Sequence, residues 1–349
     1  MKKSQVNVNG ALYGNVAECL AANDFNIGYL RPWLGNDGFT YVRNNEGKAV
    51  RIANATSTLR KDDWIQLDQA IVKAAKPRLK LVNSLRASGL RYQIQNGLGT
   101  TVLQTETMGD INDAGVSMDA LVATNSDRPE FELSNLPLPV ISKDFHFSLR
   151  QINTSRRGGS PLDTTMAEEC ARKVAEIAEK MALGTYGSYT FGGGTVYGLT
   201  NFPSSLLKTM TSPAVSAWTP ETTVTEVLAM RQQAYDAHQY GPFKLYVSPA
   251  WDAKLDADFK ANGDRTLRER IEKIANIEEV VTLDYLTGYK MILVQQTSTT
   301  IRIVEGMDIT TLQWDSDGGL KKNFKVMAIL VPQIRADQNS KCGIVYGSV

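Results

Sequence analysis

The sequence predicts an α+β protein of more than one lobe, and three observations carry that expectation. The 349 residues exceed the size at which a single hydrophobic core usually stops growing. Apolar residues recur at helical spacing in some stretches and alternate as in strands in others. Nothing repeats at a fixed period, which disfavours solenoids and propellers.

Residues 1–57 are rich in Asn and Gly (NVNG, LGNDG, RNNEGK) and read as an extended arm with turns. Phe25, Tyr29, Trp33, Phe39 and Tyr41 are too many aromatics for a disordered tail, so the arm is expected to pack on its own body or on a neighbour. Thr58 is placed to cap a helix beginning TLRKDDWIQLDQAI, with Asp62 and Asp63 near its positive end and Trp64, Leu67, Ile71 and Ala74 on one face. Pro77 interrupts it, and PRLKLVNSLRASG resumes as a short helix ending at Gly89.

Residues 91–140 lack helical periodicity and read as a long hairpin-like excursion, which needs a surface to lie on because two strands alone are marginal in water. LPLPVISKDFHFSLRQI follows as a strand entering the body. Ser160, Pro161 and Asp163 then open the strongest helix, a spine of roughly 23 residues and about 35 Å ending at Gly184. Met166, Cys170, Val174, Ile177 and Met181 form its apolar stripe, with Arg172, Lys173, Glu176, Glu179 and Lys180 on the wet side.

GTYGSYTFGGGTVYGL reads as a flexible link or turn. Beyond it, Thr219-Pro220-Glu221 and Ser248-Pro249 open helices over about 220–238 and 249–260. FKLYVS, EEVVTLDYL, YKMILVQQ and TIRIVEG read as strands of the same lobe, and FKVMAILVPQIRADQNSKCGIVYG returns with strand-like text.

Composition narrows function. Thirty-eight Lys and Arg against 37 Asp and Glu leave a net charge of +1, with no global field for nucleic acid or anionic membrane. Three Cys, at 19, 170 and 342, form no CxxC pair and no disulfide framework, which points to a reducing compartment. Two His, 146 and 238, exclude HExxH and multi-His metal sites, and no metal or cofactor is expected. Met1-Lys2-Lys3 is followed by SQVNVNG and not by an apolar run, so no secretion signal is read, and the apolar stretch VMAILVP is too short to span a bilayer.

The remaining chemical features have ordinary readings. The glycines of 184–198 lack the Lys and Ser/Thr of a phosphate loop. His146 reads as a structural or surface residue, and His238 as a helix-end residue. Cys170, on an apolar stripe, reads as a small buried hydrophobe. Asp62-Asp63, Glu168-Glu169 and Glu278-Glu279 do not face one another and read as solvated or capping positions.

One feature is not ordinary. Residues 58–90 carry seven Lys or Arg and three Asp, a charge of +4, whereas 91–140 carry two Arg and seven acids, a charge of −5. Opposite patches register assembly, so the acidic excursion of one subunit is expected over a basic surface of its neighbour. The interface candidates are Trp33 of the arm, the cations Arg86, Arg91, Arg156 and Arg157, and the carboxylates Glu106, Asp110, Asp113 and Asp119. The core candidates are Trp64 and the spine residues Met166, Cys170, Val174, Ile177 and Met181.

Several strings, in their order, carry a resemblance. LRKDDWIQLD, LPLPVISKDFHFSLRQI, SPLDTTMAEECARKVAEIAEKMALGT, VYGLTNFP, GPFKLYVSPAWDAKL, RTLRERIEKI and IRIVEGMDITTLQWDSDGGLKKNFKVMAILVPQIRADQ cover most of residues 58–345. Together they resemble the shell proteins of tailed bacteriophages (Hong Kong ninety-seven type fold) and, in local text, the encapsulin nanocompartment shells that share that fold.

The resemblance implies an N-terminal arm (1–57), a peripheral P-domain formed by 58–90 and 144–204 with the spine helix, and an extended E-loop (91–143). It further implies an axial A-domain (205–312) and a return to the P-domain (313–349). It implies a non-enzymatic subunit forming pentamers and hexamers of an icosahedral shell around double-stranded DNA bound without sequence preference. Such a shell belongs in a virion assembled in a bacterial cytoplasm, with portal, scaffolding and decoration proteins as partners and no membrane. Encapsulin shells typically begin near the helix matching LRKDDW, whereas 57 residues precede it here, which favours the phage form. An encapsulin-type compartment is the alternative, and an α/β enzyme with a lid a remote one. Some family members crosslink through an E-loop Lys; residues 91–140 contain none, leaving Lys143 at the loop base.

Overall fold

The computed structural model describes the chain outside residues 1–32, 36, 38, 44–47, 53–58, 60, 109–130, 159–162, 212–217, 261–264, 318–319 and 338–339. It opens with a three-stranded meander, β1 (Trp33–Leu34), β2 (Thr40–Arg43) and β3 (Ala49–Ile52). Helix α1 (Lys61–Ala75) buries Trp64, Leu67 and Ile71, and Ala75 takes the inward place expected of Ala74. Pro77 lies in a 3-10 turn (Lys76–Arg78), after which α2 (Lys80–Ala87) ends ahead of Gly89, whose φ of +73° suits the helix exit.

Strands β4 (Arg91–Gln93), β5 (Val102–Met108), β6 (Phe131–Pro137) and β7 (Ile141–Ser148) follow, then α3 (Leu149–Gly158) and α4 (Thr165–Leu183). After these come β8 (Tyr189–Phe191), β9 (Gly194–Val196), β10 (Leu206–Thr209), α5 (Pro220–Asp236), β11 (Phe243–Val247), α6 (Pro249–Leu255) and α7 (Leu267–Glu272). The chain finishes with β12 (Ile277–Thr282), β13 (Lys290–Gln295), β14 (Ile301–Ser316), β15 (Lys321–Ile334) and β16 (Ile344–Ser348). Among the described residues no helix is long and apolar enough to cross a membrane.

The chain divides into two compact units. The first draws on Met1–Thr101, Leu138–Ala182 and Ile303–Val331. Its sheet has the order β4-β14-β15-β7, with β4 parallel to β14 and β7 antiparallel to β15. Its aromatic centre is Phe324 of β15, stacked on Phe145 at 5.1 Å and edge-on to Trp64 at 6.0 Å and Phe147 at 5.6 Å.

The spine helix α4 differs from expectation in two ways. It begins at Thr165, whose N–H donates to the Asp163 carboxylate at 3.0 Å, so Asp163 precedes the helix, while Ser160 and Pro161 lie outside the described residues. Its inner face is built largely of Ala, with Ala167, Ala171, Ala175, Ala178 and Ala182 buried beside Cys170, Val174 and Met181. That face lies to one side of the expected stripe. Met166, in the first turn, is therefore 53% exposed, and Ile177 is half-buried.

Glu179, read from sequence as solvated, is 2% exposed. Its carboxylate accepts from the N–H groups of Leu81 (2.5 Å) and Val82 (3.3 Å) in the first turn of α2. No side chain of α2's own N-cap residue fills that role, so the spine supplies the missing acceptors and places a negative group at the positive helix end.

The second unit draws on Val102–Pro137, Leu183–Arg302 and Pro332–Val349. Its main sheet has the order β10-β16-β13-β11-β12. Val227 and Met230 of α5, Trp251 of α6 and Ile271 of α7 share one core with Leu245, Leu293 and Val345 of the strands. The helices start where the Pro signals place them. Thr219 caps α5, accepting from Thr222 N–H and returning its own N–H to the Thr222 hydroxyl.

Three further expectations are corrected. The excursion is shorter than 91–143: Arg91–Gln93 pair with β14 in the first unit, and the hairpin runs from Val102↔Pro137 to Met108↔Phe131. The stretch from Ile303 belongs to the first unit, and 344–348 do not return there but enter the second unit's sheet between β10 and β13. The glycine-rich link is a hairpin: Gly192 (φ +58°) and Gly193 (φ +75°) supply the left-handed pair that a two-residue turn between β8 and β9 requires.

Candidate functional site

The structure gathers two of the interface cations around a carboxylate that sequence reasoning missed. Glu305 of β14 is only 6% exposed, and each of its oxygens meets one guanidinium. Arg86 Nε, from α2, donates to Oε1 at 2.5 Å, and Arg91 Nε, from β4, lies 2.8 Å from Oε2. Asp308 adds a second carboxylate 3.3 Å from Arg86 Nη2, and Gln93 accepts from Arg91 at 2.6 Å. Burial alone would lower the Arg86 pKa, but the Glu305 hydrogen bond and the charges of Asp308 and Glu305 outweigh it and hold it above its ordinary value.

Two cations against two anions make this cluster electrically closed. The shallow cavity it lines, about 340 Å³, holds no nucleophile among its lining residues. Arg86 and Arg91 thus tie α2, β4 and β14 together within one subunit, and the cationic surface expected of them is neutralised from inside. The correction rests on distance in sequence: Glu305 is 219 positions from Arg86, which no local pattern reports.

The other interface candidates separate. Trp33 in β1 is half-buried and stacked on Tyr41 at 6.1 Å. Glu106 is exposed on β5, directly opposite Leu133 of β6, which is 62% exposed. Asp110, Asp113 and Asp119 lie outside the described residues. Arg156 and Arg157 fall in α3, with Arg157 exposed.

Helix α3 itself was read as the end of a strand. Its start is nevertheless written in the sequence: Ser148 Oγ accepts from Gln151 N–H at 3.2 Å, and Gln151 Oε1 accepts from Ser148 N–H at 2.9 Å, a reciprocal cap of the Ser-x-x-Gln kind. Lys143, on β7, is exposed.

The residues examined for reactivity are quiet. Burial pushes the thiols of Cys170 and Cys342 up, the latter to about 11, so Cys342 remains a neutral thiol at pH 7. His146 is exposed on β7, and His238, just past α5, lies 3.3 Å from the Tyr240 hydroxyl. Among the described residues no three His, Cys, Asp or Glu converge as metal ligands.

The profile of a family of unknown function, DUF6260, matches residues 52–347. The chain belongs to DUF6260. The match covers all four strands of the first unit's sheet and, in the second unit's sheet, β16 as far as Gly347. No curated protein matches this DUF6260 chain in sequence.

Solved structures do resemble it. The virus-like particle of Pyrococcus furiosus is 16% identical, over 82% of this chain and 99% of that chain, with a TM-score of 0.58. The capsid of Myoviridae phage XM1 is 9% identical over 71% of this chain and 85% of that one, with a TM-score of 0.55. The capsid of the native GTA particle is 10% identical over 76% and 89%, also at 0.55. At these identities the likeness is one of fold: this DUF6260 chain has the α+β fold of tailed-phage capsid and virus-like-particle subunits.

Proposed function

We propose that this chain is a shell-building subunit whose work is assembly and not turnover. The observation that carries the reading is that one fold runs through 99% of the Pyrococcus furiosus virus-like-particle chain and 82% of this one, and is met again in phage and GTA capsids. In this reading the first unit is the P-domain with its spine helix, the five-stranded sheet and its helices are the A-domain, and the β5–β6 hairpin is the E-loop. Pentamers and hexamers then close an icosahedral shell, since symmetric closure selects a shell over an open polymer.

The phage form, a virion head around double-stranded DNA with portal and scaffolding partners, is supported by the residues ahead of α1, which include the β1–β3 meander. The encapsulin form is supported by the near-complete coverage of the Pyrococcus furiosus chain. Negative-stain microscopy of the purified chain tests the common core of both. Closed shells or five- and six-fold capsomers are the expected result, and monomers or dimers at every ionic strength overturn it. The nucleic-acid content of shells purified from expressing cells separates the two forms.

A further inference from the structure

Between Asp68 and Glu106 the chain carries no carboxylate: residues 69–105 hold six Lys or Arg and no Asp or Glu. The fold engages half of those cations. Arg86 and Arg91 are seated on Glu305, and Lys80 has a partner of its own. Lys73 in the last turn of α1, and Lys76 and Arg78 in the 3-10 turn that follows, have no ion pair among the described residues. Both lysines are exposed, and they flank one shallow groove with Gln69, Val72, Pro77 and a half-buried Asp68.

Helix electrostatics do not account for the run. Lys73 complements the negative end of α1, but Arg78 stands just ahead of Lys80, which opens α2, at the end where a helix dipole opposes cations. Glu179, the carboxylate at that end, is buried and accepts from the N–H groups of Leu81 and Val82. With a rise of about 1.5–2 Å per residue, Lys73 to Arg78 span roughly 8 Å. Three successive phosphates of one DNA strand occupy roughly 7 Å along the duplex axis. No aromatic side chain lines the groove, so it offers charge to a phosphate backbone and no platform for unpaired bases.

We propose that Lys73, Lys76 and Arg78, where α1 passes into α2, form a contact surface for the phosphates of duplex DNA. The proposal rests on the shell reading above in its phage form, in which this surface meets the packaged polymer. A net charge of +1 removes only the field of the whole chain, whereas a run of cations without carboxylates acts over the short range that salt leaves open. Contact of this kind ignores base sequence and weakens steeply as salt rises.

The test is the binding of a short mixed-sequence DNA duplex to the dispersed subunit between about 50 and 200 mM salt. Lys73→Gln/Lys76→Gln/Arg78→Gln is expected to bind roughly tenfold or more weakly at the lower salt, with a plot of log K against log salt shallower by about 2–3. Lys260→Gln/Lys273→Gln/Lys341→Gln removes the same charge from three exposed lysines of the second unit and is expected to keep the wild-type slope. Shells of the first variant are expected to carry less nucleic acid, and an unchanged content overturns the proposal.

If the wild-type subunit does not bind the duplex, or both triple variants lose the same affinity and slope, the proposal falls while the shell reading stands. It falls equally if the wild type binds a poly-glutamate peptide more tightly than the duplex, which marks a surface for an acidic protein. A first variant that binds DNA as wild type does but fails to assemble also overturns it, because the run is then a contact between subunits. Wild-type chain that never assembles removes the shell reading, while the slope measured on dispersed subunits still decides whether these residues meet phosphate. Thermal unfolding of the variants checks their folding. Should the first variant unfold, Lys76→Gln alone must lower the slope by about 1, and an unchanged slope overturns the proposal.

Discussion

Two antiparallel hairpins of this chain, β14–β15 and β5–β6, share a topology and differ in what surrounds them. Strands β14 and β15 are 16 and 14 residues long, lie between β4 and β7, and are buried at most of their positions. Strands β5 and β6 are seven residues each, form a two-stranded sheet of their own and, among the described side chains, bury only Leu136 and Pro137, at the base. The text explains the contrast. IRIVEG and FKVMAILV offer apolar groups to both faces, as strands covered on both sides do. VLQTETM and FELSNLP offer polar groups along most of their length. One hairpin makes a core and the other presents a surface, and in the shell proposed above that surface is covered by a neighbour, which would couple ordering to assembly by mass action.

Substitutions sharpen that contrast, beginning with the largest effect. Phe324→Ala removes the ring at the centre of the Trp64, Phe145 and Phe147 cluster and is expected to cost about 3–5 kcal/mol in urea unfolding of the dispersed subunit. Glu305→Gln leaves two guanidiniums facing a neutral amide. Because both arginines reach solvent, the expected loss is about 2 kcal/mol, below the range for a fully buried pair.

Gly194→Ala acts at the foot of the second hairpin, where a Cβ would stand 2.0 Å from the Asn135 carbonyl oxygen. It is expected to push β9 off β6 and cost about 1–2 kcal/mol, read as faster hydrogen exchange over β8 and β9. Leu133→Ser is the smallest: the dispersed subunit should change by less than about 0.5 kcal/mol while assembly weakens measurably. A Leu133→Ser subunit destabilised as much as Phe324→Ala would erase the distinction between the hairpins.

Helices marked by local chemistry were legible in the sequence. Thr219-Pro220 and Ser248-Pro249 begin α5 and α6, and Gly89 follows α2, because capping is decided within a few residues. Helix α3 was equally writable from Ser148 and Gln151 but was hidden by the alternation FHFSL that precedes it. The Gly192-Gly193 turn was overlooked because so many glycines suggest slack before they suggest a hairpin.

Non-local partnerships left no such mark. Nothing near Glu179 announces that it serves the first turn of α2, and nothing near Arg86 announces Glu305. The charge segregation is legible as a quantity, whereas the pairing of Arg86 and Arg91 with Glu305 inside their own subunit is not. Counting charge needs only the sequence, whereas knowing which charge is already spent needs the fold.

Strand β16 gives the second unit a timetable. It alone joins β10 to β13, parallel to the first and antiparallel to the second. About 135 residues separate Thr209 from Ile344, so on the ribosome β10 emerges roughly ten seconds before the strand it must pair with. Until then its edge has no place in the sheet and the unit remains open. Neighbouring nascent chains on one messenger consequently carry an unfinished unit while they are crowded together, and a complete one only once residues 344–348 have been made. Translation order itself then decides when the second unit can close.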